Sequence, residues 1–204
     1  METRDEHTAV EQVLDLMSTS LTRDGYCQRL AQFYGFYSPL EDALKAHGKP
    51  QVRMADAAHP AGARFAVDPR LSKTALLKRD LQHMAVNTDE LPMCRQLPPT
   101  ETRVDALGCM YVMEGATLGG RLITQHIRSA LGITPATGGS FFDGYGDDTG
   151  RMWQGMRQLL ASSAPDRQSQ DAMVASAIAT FAGLRRWCQS NRQQDTPIDT
   201  NHHA

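Results

Sequence analysis

Apolar residues recur at helical intervals along most of this chain. Val10, Val13, Leu14 and Met17 predict a first helix, opened by a Thr3/Glu6 capping box. Tyr26, Leu30, Phe33, Tyr37, Leu40 and Leu44 follow at steps of four and three. They predict a second helix, capped by Thr22 or Asp24, that Pro39 should kink or divide. Leu76, Leu77, Leu81 and Met84 mark the inner face of a third, over about 72–87. A fourth spans about 100–131, and two more span about 150–162 and 166–192. Gly48 to Pro69, Leu91 to Pro99 and Thr134 to Gly150 read as loops rich in turn residues. No segment alternates as a strand does, and no repeat appears at solenoid periods. The expected fold is all-α: a single-domain bundle of about six to eight helices over 1–192, with a disordered polar tail over 193–204.

The fourth helix carries a contradiction. Its middle, Tyr111-Val112-Met113-Glu114-Gly115-Ala116-Thr117-Leu118-Gly119-Gly120-Arg121-Leu122-Ile123, holds three glycines. Each interior glycine costs a helix roughly 1 kcal/mol relative to alanine. Gly115 and Gly119 stand four apart, so both bare the backbone on one face, and Gly120 is expected to widen the gap. Two explanations stand level: close packing of another helix, or clearance for a flat or bulky ligand. Phosphate-binding glycines sit instead at a strand-to-helix junction, and no strand precedes these.

Composition narrows the field. The chain has 204 residues, 41% hydrophobic and 22% charged, as an ordinary globular domain does. A formal net charge of −2 gives no electrostatic footprint for nucleic acid. No apolar run approaches the roughly 20 residues that span a membrane, and the charged N-terminus has no signal-peptide core. A cytoplasmic protein is expected. Cys27, Cys94, Cys109 and Cys188 form no CxxC pair, so neither zinc nor a disulfide framework is expected. His7 lies one turn before Glu11. That spacing lets a carboxylate orient an imidazole whose other nitrogen binds a metal, although such pairs more often form a solvated face. Phe33, Tyr34 and Tyr37 are expected in the core. Arg157, Arg185 and Arg186 are either solvated or partners for ligand carboxylates. The other histidines show no ligand spacing.

Together these segments resemble the haem oxygenase family. Thr3-Arg4-Asp5-Glu6-His7-Thr8-Ala9-Val10-Glu11 is similar to its proximal helix, and Phe33-Tyr34-Gly35-Phe36-Tyr37-Ser38-Pro39-Leu40-Glu41 to its aromatic second helix. Tyr111 to Gly120 is similar to its distal helix, most closely in the bacterial branch that includes partners of bacterial phytochromes. The resemblance extends to the Phe141 to Gly150 loop and the Thr180 to Trp187 segment.

The resemblance implies a bundle that sandwiches haem between the first helix and a Gly-kinked distal helix. Haem would be both cofactor and substrate, cleaved to biliverdin with release of iron and CO. O2 and an external electron donor, a ferredoxin or a flavoprotein reductase, would be required. A bacteriophytochrome is a possible recipient of the biliverdin. By residue, the resemblance makes His7 the iron ligand and Glu11 its orienting partner. It places Gly115, Ala116 and Gly119 at the reacting face, with Gly120 beside them. It brings Arg4, Tyr111 and Arg157 toward the propionates and Phe181 to the pocket wall. Ala116 stands where mammalian-type members keep an Asp and the bacterial branch usually has Ser. A sensor or store that binds haem without turnover, and a same-fold protein for another small molecule, are the competing readings.

Overall fold

The computed structural model describes residues 3–46 and 70–192. The expected loop over 48–69 and the tail from 193 lie outside the described residues. Those residues form seven α-helices and no strand: α1 (Arg4–Leu14), α2 (Arg23–Ala46), α3 (Lys73–His83), α4 (Arg103–Leu131), α5 (Ser140–Asp143), α6 (Thr149–Ser163) and α7 (Arg167–Arg192). The all-α expectation holds. None of the described helices is long and apolar enough to cross a membrane.

Local chemistry explains most boundaries and corrects several. The Thr3/Glu6 capping box does not form: Thr3 occupies the cap position without a side-chain hydrogen bond. Glu6 turns instead to Arg185 of α7, 3.4 Å away. Helix α1 ends at Leu14, where Asp15 takes a left-handed conformation, so Met17 lies beyond it and is exposed. Thr22 is the cap of α2, accepting from Gly25 N–H at 3.0 Å. Pro39 does not divide α2. The hydrogen bond that its missing N–H forfeits is outweighed by Tyr37, Leu40 and Leu44, which are buried on either side of it. Helix α3 stops at His83, short of the expected end, and Ala85 follows with φ 60°. Thr102 and Asp105 form a true capping box, so α4 starts there rather than at Thr100. The expected 134–150 loop contains α5 and a short turn of 3-10 helix over Gly146–Asp148.

The core forms where α2, α4 and α7 meet, with α3 and α5 closing one side and α1 lying along α7. Its centre is aromatic. The Phe33 ring meets Tyr37, Phe141 and Phe142 at 5.6, 5.1 and 5.8 Å. Tyr34 is buried too, as expected of a core residue. Cys94, Cys109 and Cys188 are buried and Cys27 is half-buried, and none of the four forms a disulfide.

Buried polar groups fix the register of α5 against α3. Asp80 is fully buried and accepts from Ser140 N–H, Ser140 Oγ–H and Phe141 N–H at 2.9, 2.6 and 2.7 Å. It thereby satisfies the first turn of α5 and delivers Phe141 and Phe142 to the core. Asp80→Ala leaves the buried Ser140 and Phe141 amides without their side-chain acceptor. It is expected to lower stability by about 3 kcal/mol, read as a drop in the urea unfolding midpoint at unchanged slope.

Candidate functional site

The glycines of α4 divide into two kinds. A Cβ on Gly108 would collide with Ser176 and the Met173 carbonyl of α7, and one on Gly120 would collide with the Phe142 carbonyl of α5. These two permit close packing, which corrects the expectation that Gly120 widens an open gap. A Cβ on Gly115 or Gly119 would meet nothing within 4 Å. Packing therefore does not explain these two. Leu118 and Leu122 stand on the same face, at the spacing that puts 115, 118, 119 and 122 in one stripe. They are 48% and 66% exposed, the latter the most exposed large hydrophobic residue described. The result, among the described residues, is an uncovered strip of bare backbone and leucine on a helix that runs unbroken through all its glycines.

Helix α1 is fastened to α7 and to the start of this strip. The His7 imidazole meets the Phe181 ring edge-on, with centroids 5.6 Å apart and planes at 89°. Phe181 is buried, whereas the His7 side chain is 49% exposed. Nδ1 of His7 faces Glu11 Oε2 at 3.5 Å, the pairing its spacing predicts. At the other end of α1, Thr3 Oγ1 lies 3.5 Å from the Tyr111 hydroxyl, and Tyr111 leans on Trp153 of α6 at 5.7 Å. Arg29 donates to the Leu14 carbonyl at 2.7 Å and closes the C-terminus of α1.

Ala116 is half-buried and carries no polar atom on its side chain. Arg4 and Arg157 are exposed, on α1 and α6. Their guanidinium groups can reach a ligand's carboxylates only from the rim. A groove of about 730 Å³ opens beside Leu118, between α4 and the turn into α6. Its lining mixes Arg121 and Arg128 with Asp143 and Asp147, so it has no single charge preference.

Several residues of the region escape sequence reasoning. Leu118 and Leu122 were legible in principle, because they complete the helical stripe that the glycines begin. Glu6–Arg185 and the buried set Lys73, Glu114 and Tyr145 carry no local signal, since their partners lie on distant helices. Lys73 Nζ lies 3.3 Å from Glu114 Oε2, and both side chains are sealed from solvent. Burial pushes the Lys73 ammonium below its ordinary range, and the adjacent Glu114 carboxylate opposes that shift.

The family model described as Heme oxygenase matches residues 1–190. No curated protein matches the chain in a comparison of sequences. Among solved structures, the haem oxygenase of Neisseria meningitidis in its NO- and CO-bound forms superposes with a TM-score of 0.69. The two share 16% identity, over 100% of this chain and 95% of that one, so the likeness speaks for the fold. With the family model spanning nearly the whole chain, the protein belongs to the haem oxygenase family. It is an O2- and reductant-dependent oxidoreductase that degrades haem to biliverdin, iron and CO.

The two kinds of glycine respond oppositely to alanine. Gly119→Ala adds a methyl in open space and improves helix propensity, so the haem-free protein should gain roughly 0.5–1 kcal/mol. Gly120→Ala forces α4 away from α5 and should cost roughly 1–3 kcal/mol. Chemical denaturation of the two haem-free variants in parallel distinguishes them.

Proposed function

We propose that haem lies against the Gly115–Leu122 strip of α4 with His7 as its iron ligand. The observation that carries the reading is the strip itself: two glycines whose Cβ positions meet nothing within 4 Å, flanked by two leucines left exposed among the described residues. Fully burying a leucine is worth about 1.5–3 kcal/mol, so a flat apolar ligand on this face recovers what the fold leaves exposed. Bare backbone at 115 and 119 supplies the clearance that a macrocycle needs and that side chains would fill.

The residues present suit the group. Among the described residues no three His, Cys, Asp or Glu side chains cluster to hold a bare ion. A lone imidazole suffices for haem, because the porphyrin brings its own four nitrogen ligands. When bound, haem supplies the iron at which O2 is activated as well as the carbon that is oxidised.

The chain's own contribution is placement. Glu11 faces Nδ1 of His7, which favours the tautomer with Nε2 free to ligate. The Phe181 ring edge holds the imidazole plane. Tyr111, Arg4 and Arg157 are candidates for the propionates. Ala116 offers no side-chain proton donor, so polar contact at the reacting face falls to backbone amides and ordered water. A ferredoxin or flavoprotein reductase as electron donor, delivery of biliverdin to a bacteriophytochrome and a cytoplasmic setting complete the proposal.

His7→Ala tests it. The wild type is expected to give a one-to-one Soret complex with haem, and reductant with O2 should convert that complex to a bilin. His7→Ala should bind haem at least tenfold more weakly and lose turnover, and added imidazole should restore part of both. A variant with the wild-type Soret position and turnover would refute ligation by His7.

A further inference from the structure

Behind the open strip, α4 is fastened by charge at one point. Glu114 directly precedes Gly115, and its carboxylate is buried against Lys73 of α3 at 3.3 Å. The Tyr145 hydroxyl lies between them, accepting from Lys73 Nζ at 3.0 Å and donating to Glu114 Oε2 at 3.0 Å. The Lys73 ammonium also sits 4.1 Å from the centre of the Tyr145 ring. Glu114 Oε1 is buried with no hydrogen-bond partner among the described residues. Among the described residues, the bonds that orient this carboxylate therefore run through one oxygen, to α3 and to the turn before α6.

Such an anchor has consequences for the bare face. Where side chains line a pocket, they set its clearance themselves. At 115 and 119 only backbone is present, so the clearance equals the position of the α4 axis. Apolar contacts let a helix slide by fractions of an ångström, whereas a charge pair in a low-dielectric interior has one narrow optimum. A helix turn transmits displacement stiffly, so a shift at Glu114 reappears at Gly115. Selection among the chemically similar meso carbons of haem depends on displacements of that size.

We propose that Lys73, Tyr145 and Glu114 are positioning residues that set the height and tilt of the Gly115–Gly119 strip over haem, and with it which meso carbon is oxidised. The inference rests on the reading of that strip as the wall facing haem.

Chromatographic separation of the biliverdin isomers tests it. Glu114→Gln keeps the shape and removes the charge. Tyr145→Phe deletes only the bridging hydroxyl. The double variant Lys73→Met, Glu114→Met replaces the pair by apolar chains of similar length, an exchange that buried ion pairs often tolerate. Each variant that folds is expected to form the one-to-one haem complex with the wild-type Soret band. Its isomer ratio should differ from the wild type by threefold or more. An unchanged ratio in a folded, haem-binding Glu114→Gln or double variant overturns the proposal, because mere loss of stability lowers the yield without altering the ratio. Gly119→Leu checks the underlying reading separately. It should weaken haem binding at least tenfold, and wild-type binding would show that the strip does not face haem, removing the basis of the proposal by a distinguishable route.

Discussion

Two positions without a Cβ let α4 lie with its backbone directly against its neighbours: Gly108 on Ser176 and Met173 of α7, Gly120 on Phe142 of α5. Between these contacts the helix cannot rotate or withdraw by more than fractions of an ångström without opening the core, and the buried Lys73–Glu114 pair bears on that remaining freedom. That constraint gives Gly115 and Gly119 a fixed direction. Gly120, about 100° round the helix from Gly119, turns to α5, whereas Gly108 lies on the same face as Gly115 and Gly119, two turns earlier, where α7 covers it; beyond that contact no described residue meets the bare backbone at 115 and 119. The Asp80 network reinforces the arrangement from the α5 side, since it seats the segment that carries Phe142.

Helix α1 is held quite differently. It is short, its N-terminal cap makes no side-chain hydrogen bond, and it depends on contacts to other helices: Glu6 with Arg185, His7 with Phe181, and Leu14 with Arg29. Isolated helices of this length are marginal in water, so tertiary contacts decide where His7 points. The two faces of the proposed haem site thus rest on different physics. One is a rigid wall locked by backbone packing. The other is a light helix oriented by a few polar and aromatic contacts, better suited to adjust as a ligand enters.

Much of this was legible in the sequence, and the limits have physical causes. The helical stripe of α2 and the glycine run of α4 reflect local periodicity, which survives folding. The division of the glycines into packing and open kinds does not, because it depends on which neighbour lies opposite each one. Gly120 shows this: next in sequence to Gly119, it points at α5 rather than at open space. The Thr3/Glu6 capping box failed because Glu6 found Arg185 on a distant helix, a competitor that local spacing cannot reveal. The pairing of His7 with Glu11 was correctly placed by its four-residue interval. The buried Lys73–Glu114 pair left no trace, since each residue alone reads as an ordinary solvated charge.

The central claim is that the uncovered strip of α4 is the surface haem contacts. Methyl NMR of the ferric haem complex tests it most directly, because the unpaired spin of the iron shifts and broadens nearby protons. Strong paramagnetic shifts or broadening are expected for the Leu118 and Leu122 methyls, with those of Leu77 and Leu81, buried between α3 and the core, little affected. Unperturbed Leu118 and Leu122 signals in a sample with haem fully bound would contradict it.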